Sequence, residues 1–319
     1  MANTKKKKIS ILIPCFNEEE NVLQISDAVI SELNKLKKYD YELIFIDNSS
    51  TDNTREIIKE ICKKNKKIKA IFNVKNFGQF NSPYYGLCQT NGDCTIFICA
   101  DFQDPVELIP EFIKYWEEGY QVVCGIKTAS KENKFIYFLR TVYYKLIKKF
   151  SSVEQIEHFT GFALYDKSFI DLLRKLDDPT PFLRGIVAEF AGKRKDVEYT
   201  QPRRKAGKTH NNFFTLYDAA MLSFTTYTKV GMRLAVFIGL FFAFISFIVG
   251  LVYLIMKLIY WNRFDAGQAP IIILVSMMCS IILIFLGVLG EYILSINQRV
   301  IHRPLVVEKE RINFENDKK

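Results

Sequence analysis

The sequence predicts an α/β protein with a mostly parallel sheet and helices on both faces, followed by interfacial helices and two C-terminal transmembrane helices. Three observations carry this. Residues 9–125 alternate short apolar runs with helically spaced segments, the β-α-β-α order of a parallel sheet covered on both sides. Leu234 to Met256 is a run of 23 residues without a charge, and Ala266 to Gly290 is a second of 25. At about 1.5 Å per residue either run can cross the ~30 Å hydrocarbon core of a bilayer. Seven Lys/Arg lie between Lys193 and Lys208 and six more follow Gln298, whereas the connector "LIYWNRFDAGQ" has only Arg263. That asymmetry places both termini in the cytoplasm and the connector outside.

The elements follow in order. "ISILIPCF" is a short apolar strand ended by proline, and "MANTKKKKIS" before it lacks the pattern of a signal peptide. "EEENVLQISDAVISELNKL" has helical spacing, with acids expected in its first turn where the helix dipole favours them. "YELIFIDNSS" is a buried strand ending in polar residues, and "TDNTREIIKEICKK" a helix capped by Thr51 or Asp52. "KAIFNV" is a third strand, "SPYYGLCQT" a short helix and "CTIFICAD" a fourth strand. Asp104, just before Pro105, is expected to cap the next helix. In residues 134–150, Phe135, Leu139, Val142, Tyr143, Leu146 and Phe150 share one helical face ringed by lysines. Such a helix packs on the sheet or lies on a membrane surface, and the pattern fits both. Residues 211–230 carry a similar face (Phe213, Leu216, Tyr217, Ala220, Met221, Phe224) and lead straight into the first uncharged run, which favours an interfacial helix.

Composition narrows the function. The net charge of +9 suits a domain held against anionic lipid or one that handles phosphates, and no nucleic-acid module accompanies it. The seven cysteines form no C-x-x-C pair and mostly sit in apolar runs, so they read as buried free thiols. Three widely separated histidines argue against a dedicated transition-metal site. Ligands of open α/β sheets bind beyond the carboxyl ends of the strands. Polar residues stand at three such ends, Asn17 with Glu18, Asp47 with Asn48, and Asp101 with Gln103, and the Gly78 loop lies at the same edge.

These stretches bear a family resemblance. "ILIPCFNEEENV" (11–22), "FIDNSSTDNT" (45–54), "KNFG" (75–78) and "ADFQDPVELI" (100–109) resemble the inverting family 2 glycosyltransferases of GT-A (Rossmann-like) fold. "FTGFALYDK" (159–167), "RGIVAEFAGKRKDVEYTQPRRKAGKTH" (184–210) and "GEYILSINQRVIHRPLVVE" (290–308) narrow this to the polyprenyl-phosphate branch, which includes dolichol-phosphate mannose synthase and bactoprenol glucosyltransferases. The resemblance covers nearly the whole chain. It implies a nucleotide-sugar donor, undecaprenyl phosphate as acceptor, a lipid bilayer as partner, and Mg²⁺ or Mn²⁺ as cofactor.

Residue roles carry over by the same resemblance. The metal motif falls on Asp101 assisted by Gln103, with Cys99, a soft ligand unsuited to Mg²⁺, where relatives have a first acid. Lys75, where many relatives carry Arg, would join Asp101 and Gln103 in stabilising the departing diphosphate. Pro14, Phe16, Glu18, Asp47, Asn48, Gly78 and Ala100 fall on the donor-binding positions. Relatives that use hydroxyl acceptors carry an acidic pair and a Gln-x-x-Arg-Trp motif, absent here, whereas a lipid phosphate arrives anionic and needs cations instead of a base. Arg203, Arg204 and Lys208 supply them in the basic loop, and Ala163 stands where many relatives have an arginine for the acceptor phosphate; Arg140 or Lys134 could compensate.

The expected organisation is a catalytic domain over 1–210, an interfacial region over 211–231, a two-helix membrane hairpin over 232–295 and a cytoplasmic tail over 296–319. The expected function is transfer of one sugar, from a UDP-linked donor, to undecaprenyl phosphate on the cytoplasmic face of a bacterial inner membrane, with self-association left open. Two rivals stand beside it: a membrane-anchored transferase acting on a saccharide hydroxyl, and a non-catalytic nucleotide-sugar-binding protein.

Overall fold

The structure is a computed structural model that describes residues 6–129, 153, 156–202, 204, 213–227, 230–260, 268–301 and 303–314. The 134–150 amphipathic segment, with Arg140 and Lys134, lies outside the described residues, as do Arg203 and Lys208.

β1 (Lys8–Cys15) shows why the sheet is covered on both faces. Side chains alternate along a strand, so Ile9, Ile11 and Ile13 enter one core while Leu12 enters the other. β2 (Asp40–Asp47) repeats this, sending Leu43 and Phe45 one way and Ile44 and Ile46 the other. β3 (Ile68–Asn73) and β4 (Cys94–Phe97) complete a parallel block. Strands buried on both faces read as continuous apolar runs, which is why they were legible. The first core is roofed by α1 (Val22–Lys35), α2 (Thr54–Lys64) and α4 (Ile109–Glu117), whose Ile25, Ile58 and Phe112 are fully buried in it. The second is closed by α3 (Gly78–Gln89), α5 (Lys167–Leu176) and α6 (Leu183–Phe190) through Leu87, Phe169 and Val187.

The sheet is more mixed than expected. β5 (Val122–Ala129), β6 (Phe159–Asp166), β7 (Arg194–Thr200) and β8 (Glu308–Ile312) extend it to eight strands in the order β7-β5-β6-β4-β1-β2-β3-β8. β6 runs antiparallel to β4 and β5, and β8 antiparallel to β3. Part of the expected tail is therefore sheet: the chain returns after its long helices to form an edge strand. Tyr85 of α3 donates to Glu308 at 2.8 Å and Arg311 donates to Gln89 at 2.6 Å, so the returning strand also grips α3.

Three local expectations are corrected. No acid occupies the first turn of α1; Glu18 instead sits in the preceding loop, where its carbonyl accepts from Asn21 and Val22. Asp104 caps no helix: its carboxylate accepts from the Cys99 amide at 2.9 Å and the Tyr199 hydroxyl at 3.3 Å, bracing the β4 loop against β7. β4 ends at Phe97, so Asp101 belongs to a loop.

α7 (Phe213–Tyr227) leads to α8 (Val230–Ile259) and α9 (Gln268–Val300), of 30 and 33 residues. Among the described residues no helix is long and apolar enough to cross a membrane, many side chains of α8 and α9 lying outside that set. The described ones include an exposed series with Phe237, Phe244 and Phe247 on α8 and Leu283, Ile284 and Ile293 on α9. The face expected on α7 meets α9: Tyr217 donates to Glu291 at 2.9 Å, and the Phe224 and Tyr292 rings lie 6.5 Å apart. Arg299 closes the joint, donating to Thr226 at 3.0 Å and pairing with Asp178 at 3.3 Å.

α7 also docks on α6 where Gly185 lets the Tyr227 ring approach. A Cβ on Gly185 would stand 2.3 Å from two Tyr227 ring atoms. Gly185→Ala is expected to push the ring out and lower the thermal midpoint in detergent by a few degrees, as overpacking does at about 1–3 kcal/mol. An unchanged midpoint would refute the close packing.

Candidate active site

A cavity of about 670 Å³ opens beyond the carboxyl ends of β1, β2 and β4. The loops that line it share one backbone device. Asn17, Ser49 and Phe102, which follow these three strands, have φ of 55°, 68° and 61°. Left-handed conformations at non-glycine residues cost energy and gather at functional sites; here each turns the chain sharply at the sheet edge.

Of the expected site residues, Pro14, Phe16, Glu18, Asn48, Gly78, Asp101, Gln103 and Arg204 line this one cavity. Pro14 and Phe16 form the wall at the end of β1. Asn48 organises the neighbouring loop: its amide donates to Asn76 at 2.9 Å and to the Gly78 carbonyl at 3.2 Å, and its carbonyl accepts from Asn73 and the Phe77 amide. Gly78 opens α3 at φ 86°, a conformation glycine adopts at little cost.

The charged centre joins distant parts of the chain. Arg204 donates to Glu18 at 2.7 Å, and its Nε lies 3.5 Å from the Asp101 carboxylate. Asn21 donates to the other Glu18 oxygen at 2.6 Å. Burial pushes the Glu18 carboxyl above its ordinary range, against the pull of the Asn21 and Arg204 hydrogen bonds. Asp101 also accepts from the Gln103 amide at 3.1 Å, a tight turn that sends both side chains to the cavity. Cys99 lines it too, its thiol held protonated by burial and by neighbouring Asp104 and Asp101.

This donor set fits a divalent cation. Among the described residues there is no group of three His, Cys, Asp or Glu that would enclose a metal by itself. The buried Nε of Arg204 has no hydrogen-bond partner, a donor left over beside the two carboxylates that an anionic oxygen would satisfy. Asp101 and Gln103 offer oxygen atoms, and Mg²⁺ takes few protein ligands, completing its shell with water and substrate phosphates.

Three expected residues are placed elsewhere. Asp47 is fully buried beneath the site, where it accepts from the Ser50 amide and pairs with Arg55 at 2.6 Å. It is a support for the loop, not a wall of the cavity. Ala100 is buried in the first core. Lys75 is exposed, its ammonium 5.2 Å from the Phe77 ring centre, and does not line the cavity. In exchange, the structure adds Thr160, Gly161, Arg184 and Asp218 to the lining. Arg184 had a signal, the single charge within the apolar stretch "PFLRGIVA"; Asp218 had none.

Residues 10–173 match the family described as Glycosyl transferase family 2. The chain is 31% identical to the bactoprenol glucosyl transferase of Shigella phage SfV, over 95% of this chain and 98% of that protein. It is 30% identical to the prophage bactoprenol glucosyl transferase homolog of Escherichia coli K12, over 90% and 93% of the two chains. The solved structure of mannosyl-3-phosphoglycerate synthase from Rubrobacter xylanophilus is 18% identical, with a TM-score of 0.48 over 67% of this chain and 71% of that one.

Proposed function

This chain belongs to glycosyl transferase family 2 and is a glycosyltransferase; we propose that it moves one sugar from a UDP-sugar to undecaprenyl phosphate at the cytoplasmic face of a bacterial inner membrane. The observation that carries this reading is the cavity itself. One wall is Pro14, Phe16 and Asn48, the floor Asp101 and Gln103, and the far wall Arg184 with α7, the helix that leads into α8 and α9. The uncharged runs of α8 and α9, with their exposed Phe and Leu side chains, anchor the enzyme in the bilayer on this reading. Relatives named for bactoprenol, 31% identical along nearly their full length, supply the acceptor class.

Each residue then has a task. Pro14 and Phe16 pack against the nucleoside, and Asn48 holds the Gly78 loop where its backbone can approach phosphate. Asp101 and Gln103 would hold a divalent cation, which when bound supplies positive charge to the leaving diphosphate. Glu18 keeps Arg204 over the site. Lys75, on the exposed rim, serves at most as a long-range charge. The acceptor phosphate is already an anion, so direct attack on the anomeric carbon inverts it without a general base.

A second reading has one observation behind it. Asp218 places an exposed carboxylate in the cavity, as a base for a saccharide hydroxyl would require. The two readings separate by partition: purified chain with undecaprenyl phosphate, Mg²⁺ and labelled UDP-, GDP- or dTDP-sugars is expected to send label from the UDP donor into the organic phase. Asp218→Asn should preserve that transfer. Label appearing solely on water-soluble saccharide, abolished by Asp218→Asn, would overturn the lipid-phosphate reading.

A further inference from the structure

We propose that Arg184 is the group that holds the acceptor's phosphomonoester, an assignment that rests on the acceptor class proposed above. Among the described residues five charged side chains line the cavity: Glu18, Asp101, Arg184, Arg204 and Asp218. Of the two described cations, Arg204 is bound through one nitrogen to Glu18 at 2.7 Å, and its Nε lies 3.5 Å from Asp101. Arg184 is half-buried and has no hydrogen bond or ion pair with any described residue. A guanidinium is always charged and presents a planar fork of donors that matches phosphate oxygens. Glu18, Asp101 and Asp218 share the cavity, yet no described carboxylate lies within ion-pair distance of this guanidinium, so its fork of donors is left open to an anion.

Its backbone is fixed. The Phe182 carbonyl accepts from Gly185 at 2.9 Å and Ile186 at 3.1 Å, closing the turn that carries Arg184. The Phe182 ring is wedged between Phe80 and Tyr227, with centroid distances of 5.8 and 6.1 Å. The guanidinium is therefore delivered from a rigid base, which lowers the cost of ordering it around a ligand.

Topology says which phosphate it meets. The strand order β6-β4-β1-β2 sets Pro14, Phe16 and Asn48 at the ends of β1 and β2, with Asp101 after β4. β6 pairs antiparallel with β4, Phe97 opposite Ala163, which puts Gly161 level with Cys99 on the side away from the donor wall. Arg184, Thr160 and Gly161 line the same cavity, and Tyr227 packs α7 against Gly185, the residue after Arg184. The packing of α6 on β6 sets Arg184 on the β6 side of the sheet edge, away from β1 and β2, and next to the helix that leads to α8. A sugar seated at Asp101 would have its diphosphate toward β1 and the incoming phosphate toward Arg184, the arrangement that in-line displacement needs. Ala163 is fully buried in the second core, and Arg184 reaches the cavity from α6.

The full chain in detergent tests this with three measurements: KM for a short-chain prenyl phosphate, Kd for the nucleoside diphosphate, and retention of prenyl phosphate against prenyl alcohol. Arg184→Ala is expected to raise the acceptor KM at least about tenfold, the loss that goes with a charge-assisted contact, and to leave the nucleotide Kd unchanged, which also shows the variant folded. Arg184→Lys should recover part of the loss. An unmoved acceptor KM in Arg184→Ala, or a rise in the nucleotide Kd in its place, overturns the assignment alone. Wild-type chain that binds nucleotide yet retains prenyl phosphate no better than prenyl alcohol overturns both the assignment and the acceptor class beneath it.

Discussion

Asp101→Asn is expected to abolish sugar transfer while leaving the chain folded. The side chain lies at the cavity floor on a loop already held by other contacts, the Asp104 carboxylate gripping the Cys99 amide and the Tyr199 hydroxyl. The amide keeps the shape and one acceptor oxygen for the Gln103 amide. What it removes is the negative charge, and with it the main attraction for a hard cation. The other carboxylate of this loop, Asp104, is already held by the Cys99 amide and the Tyr199 hydroxyl and does not take over. Losing a group that stabilises developing charge costs at least about a hundredfold in kcat. Chelation of divalent ions from the wild-type enzyme should produce a loss of the same order, reversed by Mg²⁺ or Mn²⁺. Turnover of Asp101→Asn at the wild-type rate, in the presence of chelator, would refute the assignment of the cation to this residue.

Glu42→Gln is expected to destabilise the sheet by roughly 3 kcal/mol at neutral pH. Glu42 is 2% exposed, yet its carboxylate accepts from Ser10 at 2.6 Å and the Asn91 amide at 2.9 Å and pairs with Lys8 at 2.7 Å and Lys69 at 2.8 Å. It thus ties β1, β2, β3 and the approach to β4. Burial alone would raise its pKa; the bonds from Lys69, Lys8, Ser10 and Asn91 overcome that and lower it from the ordinary 4.5 to about 2. A gap of that size is worth roughly 3 kcal/mol by linkage. Because the folded-state value is depressed, the stabilisation is fully present above about pH 4.5 and is lost as pH falls toward 2. Denaturant midpoints of wild type and Glu42→Gln should differ widely at pH 7 and converge near pH 2. Equal midpoints at pH 7 would show that the cluster does not stabilise the fold.

The parallel block was readable because its strands are buried on both faces, so Ile9 to Ile13 or Leu43 to Ile46 appear as unbroken apolar runs. β5 to β8 were not. β7, "RKDVEYT", alternates exposed charges with buried Val197 and Tyr199, and β8, "EKERI", has only Glu308 and Ile312 partly covered. Neither carries enough apolar residues to announce a strand; each exists because an edge of the sheet offers it a partner. The site divides in the same way. Glu18, Asp101 and Gln103 lie in the loops that follow strands whose position could be inferred, and they line the cavity. Asp47 does end its strand, but Arg55 from the following helix turns its carboxylate inward. That pairing has no local sequence mark.

Sequence by itself determined the alternating sheet core, the rim on which polar residues gather and the two long uncharged runs, because each is written in periodicity that any local stretch displays. Only the tertiary structure decided which charges meet. Arg204 crosses 186 positions to reach Glu18, Arg184 joins the cavity through the docking of α6 and α7, and the tail returns to grip α3. Such contacts depend on how elements pack, and electrostatic partners separated by most of the chain leave no imprint on either segment alone.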